Sequence, residues 1–468
     1  MELFRKISDN PSIVWINGEV VAERIDADYY HANHIQLNKS KIPMFKISTY
    51  CYLSKKRFNP NKYNKEYFKY IDISNVDNNT GVFEYQLVNI NEAPSRARKK
   101  VSKNDIIIST VRPNRNAVAI VNIEDDELVV STGFAVIECK KNIDSYYLFA
   151  VLKTSNSIGQ LVRKTSGGLY PAVSEQDVME IEIPIPSPEI QKYIGDKVRK
   201  AEELREEAKK LKKEAEEIIY KKLGNIVLED EKNYTANYIR EEDIFERIDS
   251  EYYKEKYFRL QKQLKSKGFS LKTLDELCDS NIFNGRTYKT TNKKRKYMNI
   301  GVGELGDWFI LANGDKYIDE NINTNYLLDR YSIIWGNSAH LAKYIGEKVN
   351  INLETNSYVP TTEITCIKPN LDKINPYYLF LYMKSNWGYY QVQRTVKGMT
   401  AHSYPEDVSK IIVPILDFSF EELNVMKSAV ELGYRYTKES KQLVQEAKQD
   451  VEGLIEGNFD MSKVKANS

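Results

Sequence analysis

Two rhythms of apolar residues run along this chain, and each predicts a different element. Short apolar runs bounded by polar or turn residues, at 105–109 and 117–121 with a counterpart at 331–335, predict strands. Two long, highly charged stretches instead carry apolar residues at alternating spacings of three and four, the seam of a coiled-coil helix. The first seam is Ile194, Ala201, Leu204, Ala208, Leu211, Ala215 and Ile218, with small alanines that let a partner helix come close. Ser187 suits its N-cap, Pro188 its first turn and Gly224 the left-handed position after its end. At ~1.5 Å per residue such a helix is roughly 54 Å long, more than one small domain can enclose. The second opens with a capping box, Ser419 and Glu422, and continues through Leu423, Met426, Val430, Val444, Ala447 and Val451 towards Gly457. Gly433 and Thr437 weaken its middle.

The same landmarks occur twice in the same order, offset by roughly 225 to 231 residues. Residues 24–30, starting Arg24-Ile25-Asp26, recur from Arg247-Ile248-Asp249. Tyr146-Tyr147-Leu148-Phe149 with Lys153 and Arg163 recurs as Tyr377-Tyr378-Leu379-Phe380 with Lys384 and Arg394. Asp177-Val178 before Ile183-Pro184-Ile185 recurs as Asp407-Val408 before Val413-Pro414-Ile415, and a long helix follows each. The period is too long for a solenoid, so the chain holds two duplicated domains whose loops have diverged. The expected division is 1–187, a spacer helix 188–224, 225–417, a spacer helix 418–457 and a tail 458–468. The fold class is α+β: two globular domains of mixed α and β structure and two long helices that pair antiparallel within the chain, a pseudo-two-fold arrangement.

Composition narrows the class. At 468 residues, 41% hydrophobic and 29% charged, the chain can bury real cores. No apolar run approaches the ~20 residues that span a bilayer. The charged N-terminus carries no secretory pattern, so a cytoplasmic location is expected. Cys51, Cys139, Cys278 and Cys366 stand singly, unlike metal or redox motifs. Net charge is only +2, so nucleic-acid affinity has to be sought locally.

Locally it is present. Residues 39–65 hold eight Lys or Arg and no acid, with Lys55, Lys56 and Arg57 among tyrosines; residues 280–303 hold six and no acid, including Arg286 and Lys294 near Tyr288. Windows 95–104 and 373–405 are also acid-free. Lys and Arg neutralise phosphates, and Arg and Asn form paired hydrogen bonds to guanine and adenine edges. Arg112-Pro113-Asn114-Arg115-Asn116 packs such side chains into one turn after a strand. The stretch 165–170, with Ser166 and Tyr170, and its counterpart at 397–402, with Lys397, Thr400 and His402, are further candidate contacts, as are Asn337 and His340. Solvated charge runs and plain polar turns are the ordinary alternatives.

Ala93-Pro94-Ser95-Arg96-Ala97-Arg98, then Asp105 to Pro113, Ser131-Thr132-Gly133-Phe134 and Ile183-Pro184-Ile185-Pro186 before a long helix resemble the specificity (S) subunits of type I restriction-modification enzymes. The resemblance covers nearly the whole chain, although the second half has Trp335 to His340 where the first has Ser109 to Pro113. It implies a non-catalytic, DNA-binding subunit in which each domain reads half of a split target and the helices set the gap. It further implies two adenine-N6 methyltransferase (M) subunits as partners, which bind S-adenosylmethionine, and a translocating nuclease (R) subunit that can join; this chain holds no cofactor.

Chemistry of its own is not signalled. There is no Pro-Pro dipeptide for an adenine methyltransferase string, no phosphate-binding loop and no Pro-Asp nuclease motif. Gly301, Gly303 and Gly306 spell Gly-x-Gly-x-x-Gly, but the following Asp307-Trp308-Phe309-Ile310 reads as strand where a dinucleotide site needs a helix. His31 and His34 lack further metal ligands nearby. Other readings are a recognition subunit of a type II or other methylation-based phage-defence complex, a coiled-coil adaptor, and a nuclease or methyltransferase with an unrecognised site.

Overall fold

The computed structural model describes residues 40–165, 170–226, 247, 249–312, 314–355, 357–398 and 400–465, and the backbone of an antiparallel pair, Lys6–Asp9 with Ser12–Val14. The landmark at 24–30, His31, His34, Ser166 and Ile248 lie outside the described residues. The chain forms two compact units, Met1–Glu206 with Thr437–Ser468, and Glu207–Tyr436.

In the first unit that pair is followed by β1 (Met44–Lys46), β2 (Cys51–Leu53), β3 (Tyr67–Ile71), β4 (Gln86–Asn89), β5 (Ala97–Lys100), β6 (Ile106–Ser109), β7 (Val118–Ile120), β8 (Leu128–Ser131) and β9 (Phe134–Cys139). Helices α1 (Ser145–Leu152) and α2 (Ser155–Lys164) follow, then β10 (Glu182–Pro184) and the long α3 (Pro188–Leu223). One sheet, in the order β2-β9-β6-β7, is antiparallel throughout. A second, β4-β3-β8-β5, contains one parallel pair, β3 with β8. β1 and β10 pair separately.

The sequence of β6 explains its position. Ile106 and Ile108 point into a core shared with α1, while Ile107 points into another shared with Ile71 and Leu128 of the second sheet. A strand buried on both faces reads as an unbroken apolar run, which is what Ile-Ile-Ile-Ser is.

The second unit repeats this plan. Its strands are β11 (Ser270–Thr273), β12 (Ile282–Asn284), β13 (Thr290–Thr291), β14 (Met298–Ile300), β15 (Tyr317–Ile318), β16 (Ile333–Gly336), β17 (Asn350–Ile351), β18 (Tyr358–Pro360) and β19 (Ile364–Ile367). Helices α4 (Pro376–Lys384) and α5 (Asn386–Thr395) follow, then β20 (Ile412–Ile415) and α6 (Phe420–Glu456). The sheet β12-β19-β16-β17 is antiparallel, β13-β15-β14-β18 has one parallel pair, β14 with β18, and β11 pairs with β20. The strands expected at 105–109, 117–121 and 331–335 are β6, β7 and β16.

Two hydrogen-bonded joints occur in both units. Asp144 Oδ1 accepts from the backbone N–H groups of Tyr146 and Tyr147 at the start of α1, and Asn375 Oδ1 does the same for Tyr377 and Tyr378 at the start of α4. Buried Tyr147 donates its hydroxyl to the carbonyl of Pro184 at 2.8 Å, and buried Tyr378 donates to that of Pro414 at 2.5 Å. Burial pushes both phenols above their ordinary range, so they stay protonated donors.

The long helices begin and end as their caps require. α6 has the capping box of Ser419 and Glu422, and Gly224 and Gly457, after the two helices, have φ of +72° and +68°. In the first unit Ile194, Val198 and Ala201 of α3 share a core with Val444, Ala447 and Val451 of α6, and Lys197 pairs with Asp450 at 2.6 Å. In the second, Ala215, Ile219 and Leu223 share a core with Met426, Ala429 and Val430, and Lys222 pairs with Glu422 at 3.0 Å. Early residues of α3 therefore meet late residues of α6, the antiparallel sense.

The seam needs correction at three places. Leu211, Ile218 and Leu423 are only half buried; Ile219 takes the inward position expected of Ile218, and Ala429, which the heptad reading omitted, is fully buried. A straight helix drifts about 20° per heptad from a 3.5-residue repeat, so over two or three heptads the inward face turns by about 40–60°, part of the way to the next residue, and Ile219 comes to face inward beside Ala215. Residues 307–310 also form no strand. Gly301 leads into a 3-10 turn, Val302–Glu304, and Trp308 and Phe309 are both buried in succession, where a surface strand would alternate.

Replacing Tyr147 with Phe removes the donor and strands a buried carbonyl, so a loss of about 1–3 kcal/mol is expected in urea unfolding. Tyr170→Phe, at an exposed ring, is expected to leave the midpoint unchanged.

Candidate nucleic-acid interface

In the first unit the chain leaves β6 through Thr110 and Val111 and enters the arginine-rich turn. Thr110 and Val111 are fixed on both sides: the backbone N–H of Thr110 donates to Gly133, that of Val173 donates to Thr110, and Val111 forms a bridge with Ala172. Arg112 then takes φ of +50°, residues Pro113–Arg115 make a 3-10 turn, and Asn116 closes it at φ of +56°. Asn tolerates this left-handed backbone readily; for Arg112 it is held by an N–H bond to the Pro171 carbonyl at 2.8 Å. The constraint aims the Arg112 guanidinium over the exposed ring of Tyr170, 4.9 Å from its centroid.

This turn forms one wall of a cleft of about 670 Å³. The other wall is Asp72, the 3-10 turn Ile73–Asn75, and Asn78; Arg96 enters from the turn before β5. Arg96, Arg112 and Arg115 form no ion pair among the described residues. Asp72, the acid of the lining, opens its own 3-10 turn through its backbone, its N–H donating to Asn75 Oδ1 at 2.9 Å and its carbonyl accepting from the Asn75 N–H at 3.0 Å. The cleft thus presents three guanidinium groups, one aromatic ring, amide and hydroxyl groups, and one carboxylate.

The other expected contacts of this unit divide. Asn114 and Arg115 are exposed, and Asn116 turns inward to donate to the Lys153 carbonyl at 3.1 Å. Lys55 and Arg57 are exposed beyond β2; Arg57 donates to the Ser54 carbonyl. Lys56 is exposed but bonded to Ser102 at 3.0 Å and paired with Glu138 at 3.2 Å.

The second unit offers a different set, on the loop whose counterpart in the first unit follows β2. After β12, Arg286 is exposed on a backbone that is bolted down: its N–H donates to the Pro360 carbonyl at 2.7 Å, and buried Asn299 bonds the Arg286 carbonyl, the Val359 carbonyl and the Tyr288 N–H. Thr287 and Thr362 place their hydroxyls 3.3 Å apart beside it, and the buried Thr361 hydroxyl has no partner. His340, Lys294 and Thr400 are exposed; His402 bonds the Thr400 carbonyl and stacks on Tyr404. Lys397 is paired with Asp407 at 2.7 Å.

Two expected contacts are corrected. Tyr288 is buried with Ile318, Leu327 and Val359, and its hydroxyl accepts from the Asn323 N–H at 3.0 Å. Asn337 is buried and donates to the Thr362 carbonyl at 3.1 Å. Both hold loops together and present no polar group to a ligand. Conversely, Arg96, Asn78, Thr287 and Thr362 were not singled out from the sequence; of these only Arg96 carried a signal, its place in the acid-free window 95–104. No group of three His, Cys, Asp or Glu among the described residues is arranged to hold a metal ion.

The first unit thus gathers Arg96, Arg112 and Arg115 at one cleft, on a sheet plan that the second unit repeats. Comparison with known proteins finds a family match for part of the chain: residues 41–217 match the type I restriction modification DNA specificity domain. It is 28% identical over 144 residues to the type I restriction enzyme HindI specificity subunit of Haemophilus influenzae, covering 30% of this chain and 31% of that protein. It is 32% identical over 132 residues to the putative type I restriction enzyme MjaX specificity subunit of Methanocaldococcus jannaschii, covering 28% and 29%. The matched stretches thus span about a third of these curated relatives. A solved type I restriction-modification S subunit from M. genitalium aligns over 90% of this chain and 97% of its own, at 13% identity and a TM-score of 0.43.

Arg115→Ala is expected to leave the unfolding midpoint within about 0.5 kcal/mol, because its side chain has no polar partner among the described residues. Asn116→Ala, which loses an inward bond and sits at positive φ, is expected to cost about 1–3 kcal/mol in the same assay.

Proposed function

We propose that this chain is the non-catalytic, sequence-reading subunit of a type I restriction-modification complex, and that each compact unit reads one part of a double-stranded DNA target. The observation that carries this is the set of arginines without ion-pair partners among the described residues, on rigidly held turns: Arg96, Arg112 and Arg115 at one cleft and Arg286 on the loop after β12 of the other unit. A guanidinium with no internal partner and a fixed backbone can offer two parallel donors to a guanine edge at little ordering cost. Lys55, Arg57, Lys294 and His340 are placed in this reading at phosphates, which position the protein without specifying sequence. Asn114, Tyr170, Thr400 and His402 complete the proposed contacts.

Partners follow from the same reading. Two methyltransferase subunits that bind S-adenosylmethionine dock on the long helices, and a translocating nuclease subunit joins them in the cytoplasm. No described helix is long and apolar enough to cross a membrane. The loop division proposed is 1–187 and 225–417 for recognition, with 188–224 and 418–457 for assembly. The match to specificity proteins through residues 41–217 supports this reading over a bare coiled-coil adaptor.

The test is methylome sequencing of a strain carrying the complete system, with and without Arg115→Ala. A split motif is expected, and the variant is expected to relax one position in one part only, costing about 1–3 kcal/mol of discrimination there. Unchanged motifs, or loss at both parts together, would contradict reading by separate units.

A further inference from the structure

One lysine-to-carbonyl contact recurs in both units although the loops it joins share no sequence. Lys153 follows α1 and is 1% exposed. Its Nζ donates to the carbonyl of Asn78 at 2.6 Å and to that of Asn116 at 3.1 Å, and Asn116 Nδ2 returns a bond to the Lys153 carbonyl. Asn78 lines the cleft three residues beyond the 3-10 turn Ile73–Asn75, and Asn116 directly follows Arg115 in the opposite wall. One ammonium therefore ties both walls of the cleft to the end of α1.

The matching residue of the second unit is Lys384, at the end of α4. It donates to the carbonyl of Asp307 at 2.9 Å, and Asp307 stands three residues beyond the 3-10 turn Val302–Glu304. Both turns follow the strand of the parallel pair. The lysine-to-carbonyl bond thus falls at the same offset in the two copies. One difference separates them: Asp307 also sets its carboxylate 2.9 Å from Lys384 Nζ, and Asn78 has an amide at that position.

We propose that Lys153 is a positioning residue for the first unit's cleft, the counterpart of Lys384, and that it holds the two walls without a carboxylate counter-ion. The proposal rests on the reading of this cleft as a DNA-reading surface.

The electrical surroundings agree with the geometry. The charged groups facing Lys153 are Asp77, Lys448 of α6 and Arg205 of α3. Asp77 is spent on its own turn, where Oδ1 accepts from the N–H groups of Asn79 and Thr80 and from the Thr80 hydroxyl. Burial, helped by Lys448 and Arg205 and opposed by Asp77, pulls the ammonium down to about 7. Asp307 in the other unit is held at about 2, where Lys212 and Lys384 overcome the desolvation that would raise it. A lysine depressed in the fold takes up a proton on unfolding between about 7 and its ordinary 10.5, so its presence makes the fold gain stability as pH rises through that window.

The experiment compares the full chain as wild type, Lys153→Met and Asn78→Asp. Lysine side-chain NMR follows titration, and a random-sequence DNA duplex pool, sequenced after binding, is the probe. The wild type is expected to show a lysine titrating near neutrality that Lys153→Met removes and Asn78→Asp moves up towards the ordinary lysine range. Lys153→Met is expected to lower enrichment of one half of the selected motif roughly tenfold and leave the other half intact. Asn78→Asp, which keeps the clamp and adds the carboxylate, is expected to retain both halves while flattening the pH dependence of binding between about pH 6 and 8. Thermal unfolding of each variant guards against a collapsed first unit, and Asn78→Asp carries the test if Lys153→Met does not fold. Full enrichment of both halves by folded Lys153→Met, or no lysine titrating near neutrality, overturns the clamp. A wild type that selects nothing from the pool overturns the DNA reading and the positioning role together, and is told apart by failing before any substitution is made.

Discussion

Each unit depends on a buried tyrosine hydroxyl that donates to a proline carbonyl, Tyr147 to Pro184 and Tyr378 to Pro414. The strand bearing the proline is short and pairs with a single neighbour, so its own ladder cannot hold it. The proline also gives up its N–H, which leaves the carbonyl as its backbone polar group. The tyrosine satisfies that carbonyl and, in the same contact, joins the first helix after the sheet to the strand that feeds the long helix. An unsatisfied carbonyl there would cost about 1–3 kcal/mol, a large part of a domain's net stability. This ties the sheet core and the start of the long helix into one body in each unit.

That constraint also orders what can vary. Strands β6 and β16 are buried on both faces, so their apolar runs are fixed by two cores at once. The turns that leave them at 110–116 and 337–342 carry no such load and have diverged completely. Arg112 and Asn116 tolerate left-handed backbone because neighbouring segments hold it, and the reward is a guanidinium with a set direction. Arg286 reaches a comparable state by another route, with Asn299 satisfying three backbone groups beneath it. Different sequences thus solve one physical problem, presenting a cation on a stiff support.

The elements that rest on periodicity or caps were legible in the sequence: the twin long helices with their boundaries at Pro188 and Gly457, strands β6, β7 and β16, and the duplication itself. The seam failed where a 3.5-residue repeat was extended over a helix that winds at 3.6, so Ile219 replaced Ile218. Trp308 and Phe309 were misread because a short apolar run does not distinguish a strand from a loop driven into a core. The loop residues failed for another reason. Nothing local to Tyr288 or Asn337 shows that a distant backbone group will claim it, since Asn323 and Thr362 come near only once the sheets have formed. Arg96 reaches the cleft through the same long-range folding.

The contacts that recur across the duplication share one chemical property. The tyrosine hydroxyls bond backbone carbonyls, Asp144 and Asn375 bond backbone N–H groups, and Lys153 and Lys384 bond carbonyls beyond a 3-10 turn. A carbonyl is present whatever side chain its residue carries, so a bond to it survives any substitution that keeps the backbone path. Side chain to side chain pairs lack that protection: the acid that meets Lys384 at Asp307 has no equivalent at Asn78. A scaffold anchored through main-chain groups can therefore hold its shape while nearly every loop side chain is exchanged. The same logic locates the electrostatic differences between the two units at side-chain groups that no main-chain bond fixes: the carboxylate present at Asp307 and absent at Asn78, and the arginines without ion pairs among the described residues.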